Sequence, residues 1–365
     1  MKVDKLSVAT ARWRTPTCNE GRGFPHYAWT CLDRPLVAPP GDSSPSQSAL
    51  TKLRAKEAQA VATLDPGSPT TTTVAPGSSL MSKIALLTAA VQSRGGPKLA
   101  HVVQFQGSAV HAVSSLDDDL FVARNASEQV EVYDARSFSL RRTITVPDLG
   151  SGSLAMAVCA HHSCLYVCAN DQDIVHRVGR IRRKKAKKRK WPVAPCPSGL
   201  SVNNEHNLVV TCREANKIQE YRTDGSLVTE ISLQQTGLTC PFQSVQLSTG
   251  HYVVSQNTSS GVVIVVGADG QVVHSFDQSS AVGSMSYPRN LAVTRNDYIL
   301  VADSGNDRIL SMDSSLCSVQ ELALPVDDGI QQPWGLCLDH QSRRRMYVSE
   351  RIGRYRLLVF NNVKL

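Results

Sequence analysis

Nowhere in the 365 residues is there an uncharged apolar run of the ~18 residues that a helical membrane span needs, so no membrane role is expected. The N-terminus, Met1-Lys2-Val3-Asp4-Lys5, is polar where a secretory signal requires an apolar stretch. Ten cysteines are present, but none recurs at the period described below, and Cys164 and Cys168 alternate with Leu165 and Val167 as strand filling. Without an export signal, reduced thiols and a cytoplasmic location are the expectation. Metal-binding patterns are equally scarce. Cys18, His26 and Cys31 lack the second cysteine pair that zinc-finger spacing demands. No Ser or Cys sits in a recognisable nucleophile elbow.

What the chain does have is a period. Val113, Val158, Val202, Leu247, Val293 and Leu338 stand in phase, separated by 45, 44, 45, 46 and 45 residues. Each is followed by a second short apolar strand, such as Leu165-Tyr166-Val167 or Ile299-Leu300-Val301. Short strands repeating at this interval mark an all-β, six-bladed β-propeller with one four-stranded sheet per repeat. A single blade cannot bury both faces, so the fold requires the closed ring. Blade three shows the plan: an inner strand at Gly199-Leu200-Ser201-Val202, then three more, with an Asp224-Gly225 turn before the outermost.

Residues 1–98 differ in kind. Pro39-Pro40-Gly41-Asp42-Ser43-Ser44-Pro45 and the tract from Asp65 to Thr73 cannot bury enough apolar area to offset chain entropy, so a disordered arm is expected. Leu50, Leu53, Val61 and Leu64 would line one short helix, and Ile84, Leu87 and Val91 another, too short to argue strongly for self-association. The propeller is expected over 99–365. Blade six runs out of chain after Leu357-Leu358-Val359-Phe360, so its fourth strand is expected from about residues 100–106, closing the ring and removing an open edge.

Charge is concentrated in one place. Ten Lys or Arg fall between Arg177 and Lys190; without them 29 basic residues would face 31 acidic ones. Arg182, Arg183, Lys184, Lys185, Lys187, Lys188, Arg189 and Lys190 are therefore candidates for nucleic-acid contact or nuclear import. With Trp191-Pro192-Val193 read as the outer strand of blade two, this run becomes a third-to-fourth hairpin connection on the bottom rim.

In blade five the residues become specific. Tyr287-Pro288-Arg289-Asn290-Leu291-Ala292-Val293, followed by Tyr298-Ile299-Leu300-Val301-Ala302-Asp303-Ser304-Gly305-Asn306-Asp307-Arg308-Ile309, resembles the NHL repeat. Pro333-Trp334-Gly335-Leu336 and Pro197-Ser198-Gly199-Leu200 carry a similar opening. The resemblance implies the C-terminal propeller of tripartite-motif proteins, a platform for protein partners or RNA in the ubiquitin pathway, here with no RING or B-box array in front.

Taken together, these readings predict a non-catalytic protein-interaction module, with an RNA-binding propeller as the alternative. No catalytic residue, metal, cofactor or small-molecule substrate is expected. The inner strands are almost free of ligands, with His111 and Asn290 the polar exceptions, and Asp303-Ser304-Gly305-Asn306-Asp307 lacks the distal bidentate Glu of a calcium loop. The partner contact is placed on the top face, at Arg124, Arg213, Asn257, Arg289, Asn290, Trp334, Arg351 and Arg354. The acidic neighbours Asp171, Asp173, Glu214, Asp303, Asp307 and Glu350 are expected to interrupt its positive surface and so disfavour RNA there.

Overall fold

The computed structural model describes residues 96–363, apart from 126, 151, 180, 182–186, 277, 279–281, 340–343 and 352–354. The expected N-terminal arm, its two short helices and Cys18, His26 and Cys31 lie outside the described residues, as do Arg182, Arg183, Lys184, Lys185 and Arg354.

The described strands form six antiparallel sheets of four, each built from consecutive strands except the last. Inner strands begin at Val110, Leu154, Pro197, Pro241, Pro288 and Pro333. The second strand of each blade is buried on both faces between neighbouring blades, so it reads as a continuous apolar run rather than an alternation. Cys164–Ala169 and Leu208–Cys212 are buried at every residue. Outer strands are the reverse. Leu140–Thr145, Lys187–Pro192 and Leu227–Ser232 each bury one residue only, Ile144, Trp191 and Ile231. That single residue anchors the strand to the ring while the rest faces water.

In blade six, Lys98–Gln104 pairs antiparallel with Arg356–Asn361 and serves as the outer strand. Phe105 follows, buried, with its N–H donating to the Tyr355 carbonyl at 2.9 Å. Blades one and six are also stitched at their inner ends. The Ser349 hydroxyl donates to the Val110 carbonyl at 3.0 Å and accepts from the Gly335 N–H at 2.8 Å. The same repeat position joins other blades: Ser255 Oγ donates to the Arg289 carbonyl at 2.7 Å, and Thr211 Oγ1 to Ser244 Oγ at 2.9 Å. At the first two seams the hydroxyl supplies a donor to a main-chain carbonyl of the next blade, and at the third it meets a side-chain hydroxyl.

Blade two requires a correction. Its outer strand is Lys187–Pro192, not a strand starting at Trp191, and it pairs residue for residue with Ile174–Gly179. Lys187, Lys188, Arg189 and Lys190 are thus ladder members rather than a connection. Trp191 holds them in place, packed between Tyr166 and Tyr221 at centroid distances of 6.2 and 6.1 Å. Gly225, at φ +93°, leaves room for that indole, since a Cβ there would lie 2.9 Å from it.

Candidate functional site

Five of the six inner strands begin with a break in register. The shifts fall between Val110 and Ala112, Pro197 and Gly199, Pro241 and Gln243, Pro288 and Leu291, and Pro333 and Leu336. A bulge re-aims the residue it contains. The residues skipped include His111, Ser198, Phe242, Arg289 and Trp334, one step into each strand. Inner strands start where second strands end, as the pairings Pro333↔Glu350 and Pro288↔Asp303 show, so all of these residues share the top face.

There the side chains of four blades meet. Trp334 of blade six is buried at 3% exposure. The His111 ring of blade one stacks on it, with centroids 5.3 Å apart and planes 18° apart. Phe242 of blade four meets it edge-on at 6.1 Å. The Arg289 guanidinium of blade five lies 3.5 Å from the indole centroid and 5.6 Å from the Phe242 ring, and Arg351 lies 4.2 Å from the indole. Blades four and six are not neighbours in the ring, so this contact spans the mouth of the central channel.

His111 defines the electrostatics. Its Nδ1 accepts from the Leu154 N–H at 3.3 Å and lies 3.4 Å from Ser153 Oγ. That acceptor role places the neutral ring's proton on Nε2, which is buried without a hydrogen-bond partner. Burial, then the charges of Arg351 and Arg289, push its pKa down to about 3. The ring is a neutral donor at physiological pH, set beside two guanidiniums. The mouth is positive, aromatic and rich in donors.

Of the other residues expected on this face, Arg124 pairs with Glu131 at 3.2 Å, donates to the Gln106 carbonyl at 2.9 Å, and belongs to the rim of blade one. Arg213 reaches Cys240 Sγ at 3.7 Å. Asn257 is half-buried with an unpartnered Oδ1. Asn290 stands in the blade-five bulge beside Arg289. The structure thus joins Arg289, Trp334 and Arg351 in one cluster and leaves Arg124 outside it. His111 was noted in the sequence only as a polar entry and Phe242 was not singled out; both occupy the phase of Arg289 and Trp334.

Of the six acidic interruptions, Asp171, Asp173, Glu214 and Asp307 are exposed as expected, and two need correcting. Asp303 is fully buried and accepts from Arg308 Nε at 2.7 Å, Asn306 Nδ2 at 2.8 Å and the Ser286 N–H at 2.8 Å. Glu350 is fully buried and accepts from Arg356 Nη2 at 3.0 Å and the Gln331 N–H at 2.8 Å. Both carboxylates are structural clamps between the second and third strands of their blades, and neither presents its charge at the mouth. Among the described residues, no three His, Cys, Asp or Glu side chains are arranged to hold a metal ion, and no helix is long and apolar enough to cross a membrane.

No protein-family model matches the chain, and no curated protein does. Solved structures do. A catalytically inactive virginiamycin B lyase from Staphylococcus aureus, with quinupristin, superposes at a TM-score of 0.53 and 12% identity, over 70% of this chain and 82% of that one. A streptogramin B lyase gives 0.53 and 12% over 68% and 80%. Hydrazine synthase from Kuenenia stuttgartiensis gives 0.51 and 18% over 71% and 97%. What is shared is the six-bladed propeller. The neighbours do not single out NHL or tripartite-motif propellers. They also overturn the expectation that this chain is not an enzyme. Rings of this architecture include lyases, so the lack of a nucleophile elbow in the sequence does not exclude catalysis.

Proposed function

We propose that this propeller recognises a protein partner at the mouth of its top face, and that the feature recognised is an acidic side chain or segment. The observation that carries this reading is the clustering of Arg289, Arg351 and the His111 Nε2–H around the buried Trp334. Planar guanidiniums offer forked donors matched to carboxylates, and stacking on an indole holds them in place before a ligand arrives. Arg is among the residue types that dominate binding energy in protein interfaces, and the buried Trp334 supports the two half-buried arginines from beneath. The NHL-like openings of blades three, five and six support the same reading, because partner recognition is what that resemblance implies.

The test is a peptide array probed with the full chain and with Arg289→Gln/Arg351→Gln. Peptides rich in Asp and Glu are expected to be retained by the wild type and lost by the double variant, which should melt several degrees lower for want of its two contacts with Trp334 but keep the wild-type circular dichroism spectrum at the assay temperature. Equal retention of acidic and neutral peptides, or retention of acidic peptides by the variant, would contradict the assignment. Capture of RNA through these two arginines would replace protein by nucleic acid as the occupant of the mouth.

A further inference from the structure

On the outer flank of the ring, between the end of blade one and the outer strands of blade two, lies a groove of about 300 Å³. Val146, Pro147 and Val178 give it an apolar floor, and Lys188 and Lys190 stand along its edge strand. Lys188 pairs in register with Val178 and Lys190 with His176, so these four share one side of the sheet. Lys187–Lys190 are exposed throughout. The one acidic lining residue, Asp148, meets Lys190 at 3.2 Å in a pair that is more than half exposed on both sides, and such pairs contribute little.

Beneath the lysines lies an unsatisfied group. His176 is 6% exposed, and its Nε2 is buried with no hydrogen-bond partner. The ring hydrogen-bonds to the Asp148 main chain, and with Nε2 unpartnered that bond belongs to Nδ1. Burial and the Lys190 charge keep the ring neutral, so Nε2 is a lone-pair acceptor waiting for a donor. Lysines suit phosphates; an apolar floor suits a base or sugar; a buried acceptor suits a hydroxyl. The ligand that offers all three is a ribonucleotide unit, whose 2′-OH is the group that separates RNA from DNA.

We propose that this groove binds single-stranded RNA, with a ribose 2′-OH donating to His176 Nε2 and the flanking phosphates on Lys188 and Lys190. The site is separate from the top mouth and uses the described part of the basic run that protein recognition leaves unexplained.

Fluorescence anisotropy of the full chain with a labelled oligo-uridine of about 12 nucleotides, within the usual range of single-strand site sizes, tests this directly. Oligo-deoxyuridine of the same length is the comparison. Wild type is expected to favour RNA by about threefold to tenfold, the worth of one hydrogen bond. His176→Phe removes the acceptor and should bring RNA down to the DNA affinity. Lys188→Gln/Lys190→Gln, on an exposed strand, should weaken both ligands together and lower the salt slope by about 1.4, two phosphate contacts' worth. Equal binding of RNA and DNA by the wild type would overturn the proposal. So would unchanged affinity and slope in the lysine variant, which stands as a test even if His176→Phe fails to fold.

Discussion

The guanidinium carbon of Arg289 lies 3.5 Å from the centroid of the Trp334 indole, although the two residues belong to different blades and stand 45 positions apart. The repeat itself creates this contact. Both occupy the bulged position at the start of an inner strand, so the period that builds the ring also gathers their side chains at its mouth. A desolvated cation over an indole contributes up to about 2 kcal/mol. Trp334→Ala is therefore expected to lower stability by about 3–5 kcal/mol through lost burial and to weaken acidic-peptide binding as well. Trp334→Phe should keep most of the stability, which denaturant melts of the two variants can separate.

His111 makes stability depend on acid. Its folded pKa of about 3 lies below the ordinary value of 6.5, so between these limits the unfolded chain binds a proton that the native chain does not. Stability contributed by the neutral ring is present above pH 6.5 and is lost as pH falls toward 3, at up to about 1.4 kcal/mol per pH unit. His111→Gln should flatten the wild-type slope over this window in urea melts at stepped pH. Parallel slopes for both proteins would show that His111 is not the buried neutral group described.

Ring closure gives a prediction about the chain ends. A truncation starting at Gly107 removes Lys98–Gln104 and exposes the Arg356–Asn361 ladder as an open edge. It is expected to melt at least about 10 °C lower, consistent with loss of several kcal/mol from a domain of this size, and to aggregate. A truncation starting at Gly96 should match the full chain. Identical melting of the two would mean that the strand contributes nothing.

A single hydroxyl tests the seam between blades one and six. Ser349→Ala strands the buried Val110 carbonyl and the Gly335 N–H, at a cost of about 1–3 kcal/mol. Ser349→Thr should recover part of this only if the site tolerates a methyl group, which the differential scanning trace of each variant would report.

The architecture was legible because a 45-residue period of branched apolar residues has few alternatives, and the in-phase valines and leucines all fall in or directly beside inner strands. The mouth was half legible. Arg289, Trp334 and Arg351 follow from blade phase, but a bulge leaves no compositional trace, so His111 and Phe242 were not seen as their companions. The acidic residues misled for a different reason. Asp303 and Glu350 count as surface charge in a sequence, whereas the folded chain buries both against Arg308 and Arg356. Lys187–Lys190 escaped recognition as a strand because four consecutive cations show no alternation; pairing with Ile174–Gly179 and the Trp191 anchor override the local preference.

The most direct test of the central claim is a titration of a fluorescent glutamate-rich peptide against the full chain and against Arg289→Gln/Arg351→Gln, at two salt concentrations. The account predicts saturable binding by the wild type, weakened by salt, and an affinity lower by about tenfold or more in the variant, as for the loss of two charge-assisted contacts. Equal affinity of the two proteins for the peptide would contradict it.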